Sequence, residues 1–155
     1  MFNIVLFHPE IPQNTGNIAR TCAVSGAKLH LIKPLGFSIN EKKVKRAGLD
    51  YWDSVDIFTY DNFDDFLQKN PTGKIYLITS KGDRIYSKAR LKPDDYFVFG
   101  SETSGLPVEI HERYPNTRLK IPMRDNKHAR CLNLSNAVAV VLYEALRQTE
   151  FKNLI

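Results

Sequence analysis

Short, almost unbroken apolar runs recur along this 155-residue chain, each followed by a stretch with helical spacing or by turn residues. Asn3-Ile4-Val5-Leu6-Phe7, Lys74-Ile75-Tyr76-Leu77-Ile78-Thr79 and Tyr96-Phe97-Val98-Phe99-Gly100 are the clearest. A strand with one wet face alternates apolar and polar residues, whereas a strand covered on both faces has no need to. Residues 28–32 alternate, and 55–60 and 118–123 complete a set of six expected strands. Helical spacing falls between them, over 15–25, 41–47, 61–69 with Asp61 as N-cap, 107–113 and 134–148. Strands interleaved with helices predict an α/β fold, a mainly parallel sheet with helices on both faces. Ligands in such sheets bind beyond the carboxyl ends of the strands, so the residues just after each strand carry the functional information.

Composition narrows the class. Apolar residues make up 43% and charged residues 25%, the balance of a folded globular chain. The length suits one domain spanning 1–155, and neither a repeat nor a Pro/Gly/Ser linker divides it. No apolar run approaches the ~18 residues of a membrane span, and Met1-Phe2-Asn3-Ile4 does not begin a signal peptide. Cys22 and Cys131 are too few for a disulfide scaffold, and His8, His30, His111 and His128 lack metal-ligand spacing. The expectation is a soluble cytoplasmic protein with no metal. Its net charge of +5 suits a polyanionic partner or simply a solubilising surface. The charge is unevenly placed: Asp53, Asp56, Asp61, Asp64 and Asp65 cluster mid-chain. Lys42, Lys43, Lys45 and Arg46 precede the aromatic pair Tyr51-Trp52. Such a basic stripe can hold phosphates, or be a solvated helix face.

Three segments differ from ordinary scaffold. Residues 12–21 join the first strand to the first helix, with Asn14 or Thr15 available as a cap, Gly16 allowing close approach and Arg20 further along. Gly100-Ser101-Glu102-Thr103-Ser104-Gly105 follows a strand and opens a helix, without the lysine of a P-loop or the spacing of a dinucleotide fingerprint. Ile121-Pro122-Met123 leads through a polar loop to Cys131-Leu132-Asn133-Leu134-Ser135-Asn136-Ala137, where capping by Asn133 or Ser135 accounts for one of three polar side chains.

Together these segments resemble the SPOUT class of RNA methyltransferases over nearly the whole chain. The resemblance rests on NTGNIART (14–21), FGSETSGLP (99–107), IPM (121–123) and LNLSNA (132–137). The opening IVLFHPEIPQNTGN and the stretch LGFSINEKKVKRAGLDYW (35–52) are similar to the minimal subfamily of tRNA (cytidine/uridine) 2′-O-methyltransferases acting on the wobble nucleotide. It implies a C-terminal deep trefoil knot, S-adenosylmethionine as methyl donor, and a homodimer whose site draws on both subunits. The matching donor-binding positions are Ile78, Gly100, Ile121, Cys131 and Leu132. The matching catalytic positions are Arg20, Glu102 and Asn133. Position 131 is Cys where the family usually has Ser, which a backbone contact tolerates and a hydroxyl contact does not. Lys42, Lys43, Lys45 and Arg46 would then hold the anticodon stem-loop of tRNA.

Methyl transfer to a ribose oxygen needs the nucleophile and the methyl in line and somewhere for the hydroxyl proton to go. Arg20 is ill suited to accept that proton, because a guanidinium keeps its own. It is better suited to stabilise the developing 2′-oxyanion or to clamp a phosphate. Two other classes fit the same residues: a silent RNA-binding module of this fold, and a flavodoxin-like protein that binds a small nucleotide without RNA.

Overall fold

The computed structural model describes residues 1–39, 42, 46 and 51–155. Among them, one sheet holds seven strands. These are β1 (Asn3–Phe7), β2 (Lys28–Ile32), β3 (Ile57–Tyr60), β4 (Ile75–Ile78), β5 (Arg84–Ile85), β6 (Tyr96–Phe99) and β7 (Arg118–Lys120). Their spatial order is β3-β2-β1-β6-β4-β7-β5, and every strand pairing is parallel. Described from end to end are the α-helices α1 (Pro12–Ser25), α2 (Phe63–Lys69), α3 (Val108–Arg113) and α4 (Leu134–Gln148). No helix among the described residues is long and apolar enough to cross a membrane.

The unbroken apolar runs have a direct cause. Successive side chains of a strand point to opposite faces, and here both faces are covered. Ile4 and Leu6 of β1, with Phe97 and Phe99 of β6, pack against Ile18, Ala19 and Cys22 of α1 and Val138, Val141 and Leu142 of α4. Val5 and Phe7, with Val98 and Leu77, pack on the other side against Phe63 and Phe66 of α2 and Ile110 of α3. The expected two-sided sheet is therefore the observed one.

Several expected boundaries move. β5 lies outside the expected six strands because two residues at a sheet edge carry no apolar run. The strand at 118 ends at Lys120 rather than at Met123, since Pro122 has no N–H to give a ladder. Asn62, not Asp61, caps α2, its side chain accepting from the Asp65 amide. Pro107 is the N-cap of α3 and so lies just outside the helix. α1 begins at Pro12, so Asn14 and Thr15 sit inside its first turn and neither caps it; the Thr15 hydroxyl is buried without a hydrogen-bond partner. α4 spans the expected 134–148, with Asn133 as its cap. Lys42 and Arg46 are helical and exposed, whereas Lys43 and Lys45 lie outside the described residues.

One crossing shapes the carboxyl side of the sheet. β7 pairs with β4 and with β5, so the connection between those two consecutive strands has to pass over it. Gly82, in that connection, rests on the β7 backbone: a Cβ there would lie 2.5 Å from the Leu119 carbonyl carbon. Only a residue without a side chain allows so close a passage.

At the other end of the strands, a polar chain runs through the interior. The Tyr96 hydroxyl donates to Asn70 Oδ1 (3.2 Å), and Asn70 Nδ2 donates to the Tyr60 hydroxyl (3.1 Å). Tyr60 Oη lies 2.8 Å from His30 Nδ1, and His30 Nε2 lies 3.1 Å from Asn3 Oδ1. Asn3 Oδ1 can only accept, so Nε2 carries the imidazole proton and Nδ1 accepts from Tyr60. Burial, helped by nearby Lys28, pushes the His30 pKa down to about 4. The folded state thus binds a proton at His30 less readily than the unfolded chain, whose histidine titrates near 6.5. Stability from this residue is complete above pH 6.5 and is lost as pH falls towards 4, by up to roughly 3 kcal/mol. Urea unfolding at pH 7.5 and pH 4.5 should show this loss in the wild type and a smaller one in His30→Gln.

Candidate functional site

The expected site residues lie where a parallel sheet of this kind places them. β4 ends at Ile78, β6 at Phe99 and β7 at Lys120. The residues just beyond these three ends enclose a cavity of ≈ 480 Å³. Ile78, Gly100, Ile121, Cys131 and Leu132, the five expected donor-binding residues, all line it, as do Glu102 and Asn133. Three stretches separated widely in the chain therefore meet on one hollow.

The loop after β6 is built by its two glycines. It folds back so that Ser101 bridges to Gly105, whose amide donates to the Ser101 carbonyl at 3.0 Å. Gly105 has a φ of +66°, a conformation that favours glycine. A Cβ on Gly100 would lie 2.2 Å from the Gly105 carbonyl carbon, so position 100 admits no side chain while the loop keeps this form.

Glu102 leaves this loop and caps α1 from a distance. Its Oε2 accepts from the Glu10 amide (2.8 Å), and its Oε1 accepts from the Ile11 amide (3.0 Å) and from Asn14 Nδ2 (3.3 Å). Ile11 is the N-cap of α1 and offers no side-chain cap of its own. A carboxylate at a helix N-terminus satisfies orphan N–H groups and meets the positive end of the dipole. Asn14 Oδ1 in turn accepts from Asn133 Nδ2 at 2.9 Å, while Asn133 Oδ1 caps α4 by accepting from the Ser135 amide at 2.9 Å. One polarised chain, Asn133 to Asn14 to Glu102, ties the three motifs together. With its oxygens so engaged, Glu102 holds the geometry of the site. Glu10 extends the same cluster, its Oε1 accepting from Thr103 Oγ1 at 2.7 Å, and that hydroxyl, with Ser101, holds its carboxyl below the usual range.

The cavity fits an organic ligand with an apolar part and a polar part. Its volume lies within the ~300–1,000 Å³ of small-molecule sites. Ile78, Leu106, Ile121, Leu132 and Leu134 supply apolar wall, and Thr79, Ser101 and Asn133 supply polar groups. Among the described residues nothing hydrogen-bonds the backbone of Cys131 or Leu132, which leaves those groups for a ligand. His111 forms part of the wall; burial, with Lys81 and Arg118, lowers its pKa and keeps the ring neutral near pH 7. Cys131 is exposed beside the cavity, whereas Cys22 is buried and its thiol is pushed up to about 12. Among the described residues no group of His, Cys, Asp or Glu is placed to hold a metal ion.

Arg20 stands apart. It is exposed on α1 and does not line the cavity; its guanidinium lies 4.7 Å from the centre of the Tyr51 ring, with a long 3.4 Å contact to the Tyr51 hydroxyl. Lys42 and Arg46 do not line it either. Sequence reasoning passed over Glu10 as a site residue and gave Asn14, first residue of the 14–21 motif, no role beyond a possible cap. It also missed Thr79, Ser80 and Lys81, although their position directly after β4 was the available signal.

Comparison with known proteins agrees with the fold. Residues 1–143 match the model of the SpoU rRNA Methylase family. The tRNA (cytidine(34)-2′-O)-methyltransferase of Saccharophagus degradans is 48% identical over 153 residues, covering 97% of this chain and 97% of the relative. A structure solved for insight into the 2-OH methylation of C/U34 on tRNA superposes with a TM-score of 0.92 at 46% identity, over 98% of each chain. The AdoMet-bound rRNA methyltransferase of Sinorhizobium meliloti superposes at 0.84 with 25% identity, over 94% of this chain and 56% of that one.

Two substitutions probe the cluster. Glu102→Ala leaves two backbone N–H groups and the Asn14 amide without their acceptor and should cost roughly 2–3 kcal/mol in urea unfolding. Glu102→Gln retains one acceptor oxygen and should cost about half as much.

Proposed function

The chain belongs to the SpoU rRNA methylase family, and on that premise we propose that it methylates the 2′-hydroxyl of the wobble nucleotide of tRNA with S-adenosylmethionine as donor. The observation that carries this reading is the meeting of three distant motifs on one ligand-sized cavity, held by the chain from Asn133 through Asn14 to Glu102. Full-length relatives of about the same size bear that activity in their names.

Ile78, Gly100, Ile121, Cys131 and Leu132 would hold the donor, largely through backbone groups, so Cys at 131 is tolerated. Bound there, the donor supplies an electrophilic methyl on a sulfonium. This chain's part is to exclude water with the apolar wall, to keep the 101–105 loop in place through Glu102, and to orient the incoming ribose. Glu102 and Asn133 act as positioning residues, because their polar atoms are occupied by α1, Asn14 and the cap of α4. A guanidinium offers donors and no acceptor, so Arg20 stabilises the 2′-oxyanion or clamps the neighbouring phosphate, and the proton leaves to water or a phosphate oxygen.

Arg20 lies outside the cavity wall of its own chain, which favours a homodimer in which each site takes Arg20 from the second copy. α1 and α4 pack together on one face of the sheet and expose Val24, Val140 and Tyr143 there, a suitable surface for that contact. The same reading takes 1–155 as one catalytic domain, and takes the passage of β7 beneath Gly82 as part of a deep trefoil knot. Lys42 and Arg46, exposed and one helical turn apart, would hold phosphates of the anticodon arm together with Lys43 and Lys45.

Methyl transfer from labelled donor into bulk tRNA, followed by mapping, should place the label on the ribose of nucleotide 34. Label on a base, or none in tRNA, would overturn the reading. Arg20→Lys should lower the single-turnover rate by about 100-fold or more, since a point charge lacks the planar fork. Co-expressed Arg20→Ala and Gly100→Val chains should recover about a quarter of wild-type activity, because half the dimers are mixed and each has one complete site. Replacing both Lys42 and Arg46 by Ala should reduce the salt slope of tRNA binding by roughly one to two.

A further inference from the structure

Glu10 is held from three sides. Its amide donates to Glu102 and its carboxylate accepts from Thr103, both in the loop that lines the cavity. On its other side lies Gly36, whose amide donates to the Pro9 carbonyl at 2.9 Å. A Cβ on Gly36 would lie 2.8 Å from both Glu10 Cα and the Glu10 carbonyl oxygen. Gly36 thus lies flat on the Glu10 backbone, with no room between them. Six residues further along the chain is Lys42, and four beyond that is Arg46.

We propose that Glu10 is a positioning residue that couples the two ligands of this protein, so that the methyl donor and tRNA bind with positive cooperativity. The proposal rests on the function given above. A donor touching the 101–105 loop selects one position of Glu102 and Thr103, and both are bonded to Glu10. Glu10 cannot shift without displacing Gly36, because the contacts between them are backbone on backbone. The direction in which the chain leaves Gly36 towards the basic residues is therefore tied to the state of the donor loop. By linkage, tRNA must tighten donor binding by the same factor as the donor tightens tRNA. The clip from Thr103 to Glu10 has a neutral donor, so salt should affect it less than the phosphate contacts.

The test measures the affinity of an anticodon stem-loop for the wild-type protein by fluorescence anisotropy, with and without saturating S-adenosylhomocysteine. The wild type should bind the RNA about fivefold or more tighter with the adenosyl ligand present. Gly36→Ala, which touches neither ligand and adds only a methyl against the Glu10 backbone, should bring that ratio close to one. Its catalytic loss should appear in KM for the donor rather than in kcat at saturation. Glu10→Ala should do the same by removing the Thr103 contact. Glu10→Gln keeps an acceptor oxygen for Thr103 and should keep most of the ratio. A wild-type ratio of one with both ligands bound, or an unchanged ratio in both Gly36→Ala and Glu10→Ala, would overturn the coupling while leaving the methyltransferase reading intact. Wild-type protein that binds neither ligand would overturn both.

Discussion

Helix α1 starts without a side-chain cap of its own, and a carboxylate from the loop after the neighbouring strand β6 takes that place. Glu102 is 91 residues from Ile11 in sequence, yet it accepts from the amides of Glu10 and Ile11 and from the side chain of Asn14. An uncapped N-terminus in a partly closed site would leave several N–H groups unsatisfied. The negative charge meets the positive end of the helix, so the same contact both anchors the helix and positions the loop. Asn133 joins through Asn14, which brings the start of α4 to the same point. The cavity exists in this shape because these three chain segments are bonded to one another there.

The sheet provides the frame for that meeting. Three adjacent parallel strands, β6, β4 and β7, end on one side, and the residues following them form the cavity wall. β7 reaches its place only by running beneath the connection from β4 to β5, where Gly82 lacks the side chain that would block it. Gly100 does the corresponding work in the loop above, where Gly105 supplies the φ of +66°. Gly82 and Gly100 each allow backbone to lie on backbone. Gly36 over Glu10 is a third instance of the same device, on the side of the site that leads towards Lys42 and Arg46.

The placement of Arg20 divides the chemistry. The residues proposed to bind the donor and the network from Asn133 to Glu102 belong to one hollow, while the cation expected near the reacting oxygen is stacked on Tyr51 outside it. The acidic residues of the mid-chain are held apart from this work: Asp61, Asp64 and Asp65 pair with Lys33, Arg113 and Lys69.

The amino-acid order by itself determined whatever depends on near neighbours and periodicity. The two-faced strands were legible because burial on both sides removes polar residues from a run. α4 was legible to its ends because Asn133 caps it locally and Val138, Val141, Leu142 and Ala145 repeat at helical spacing. Ile78, Gly100, Ile121, Cys131 and Leu132, which line the cavity, were legible through motifs that follow strands. What escaped was decided by contacts between distant residues. The start of α1 depends on a carboxylate from another loop, so Asn14 and Thr15 looked like caps. β5 is a strand only because β7 lies beside it. His30 looked like one more scattered histidine until folding placed it between Tyr60 and Asn3. Arg20 belongs to the first motif in sequence, but its place outside the cavity follows from how α1 is rotated and packed, which only the tertiary structure decides.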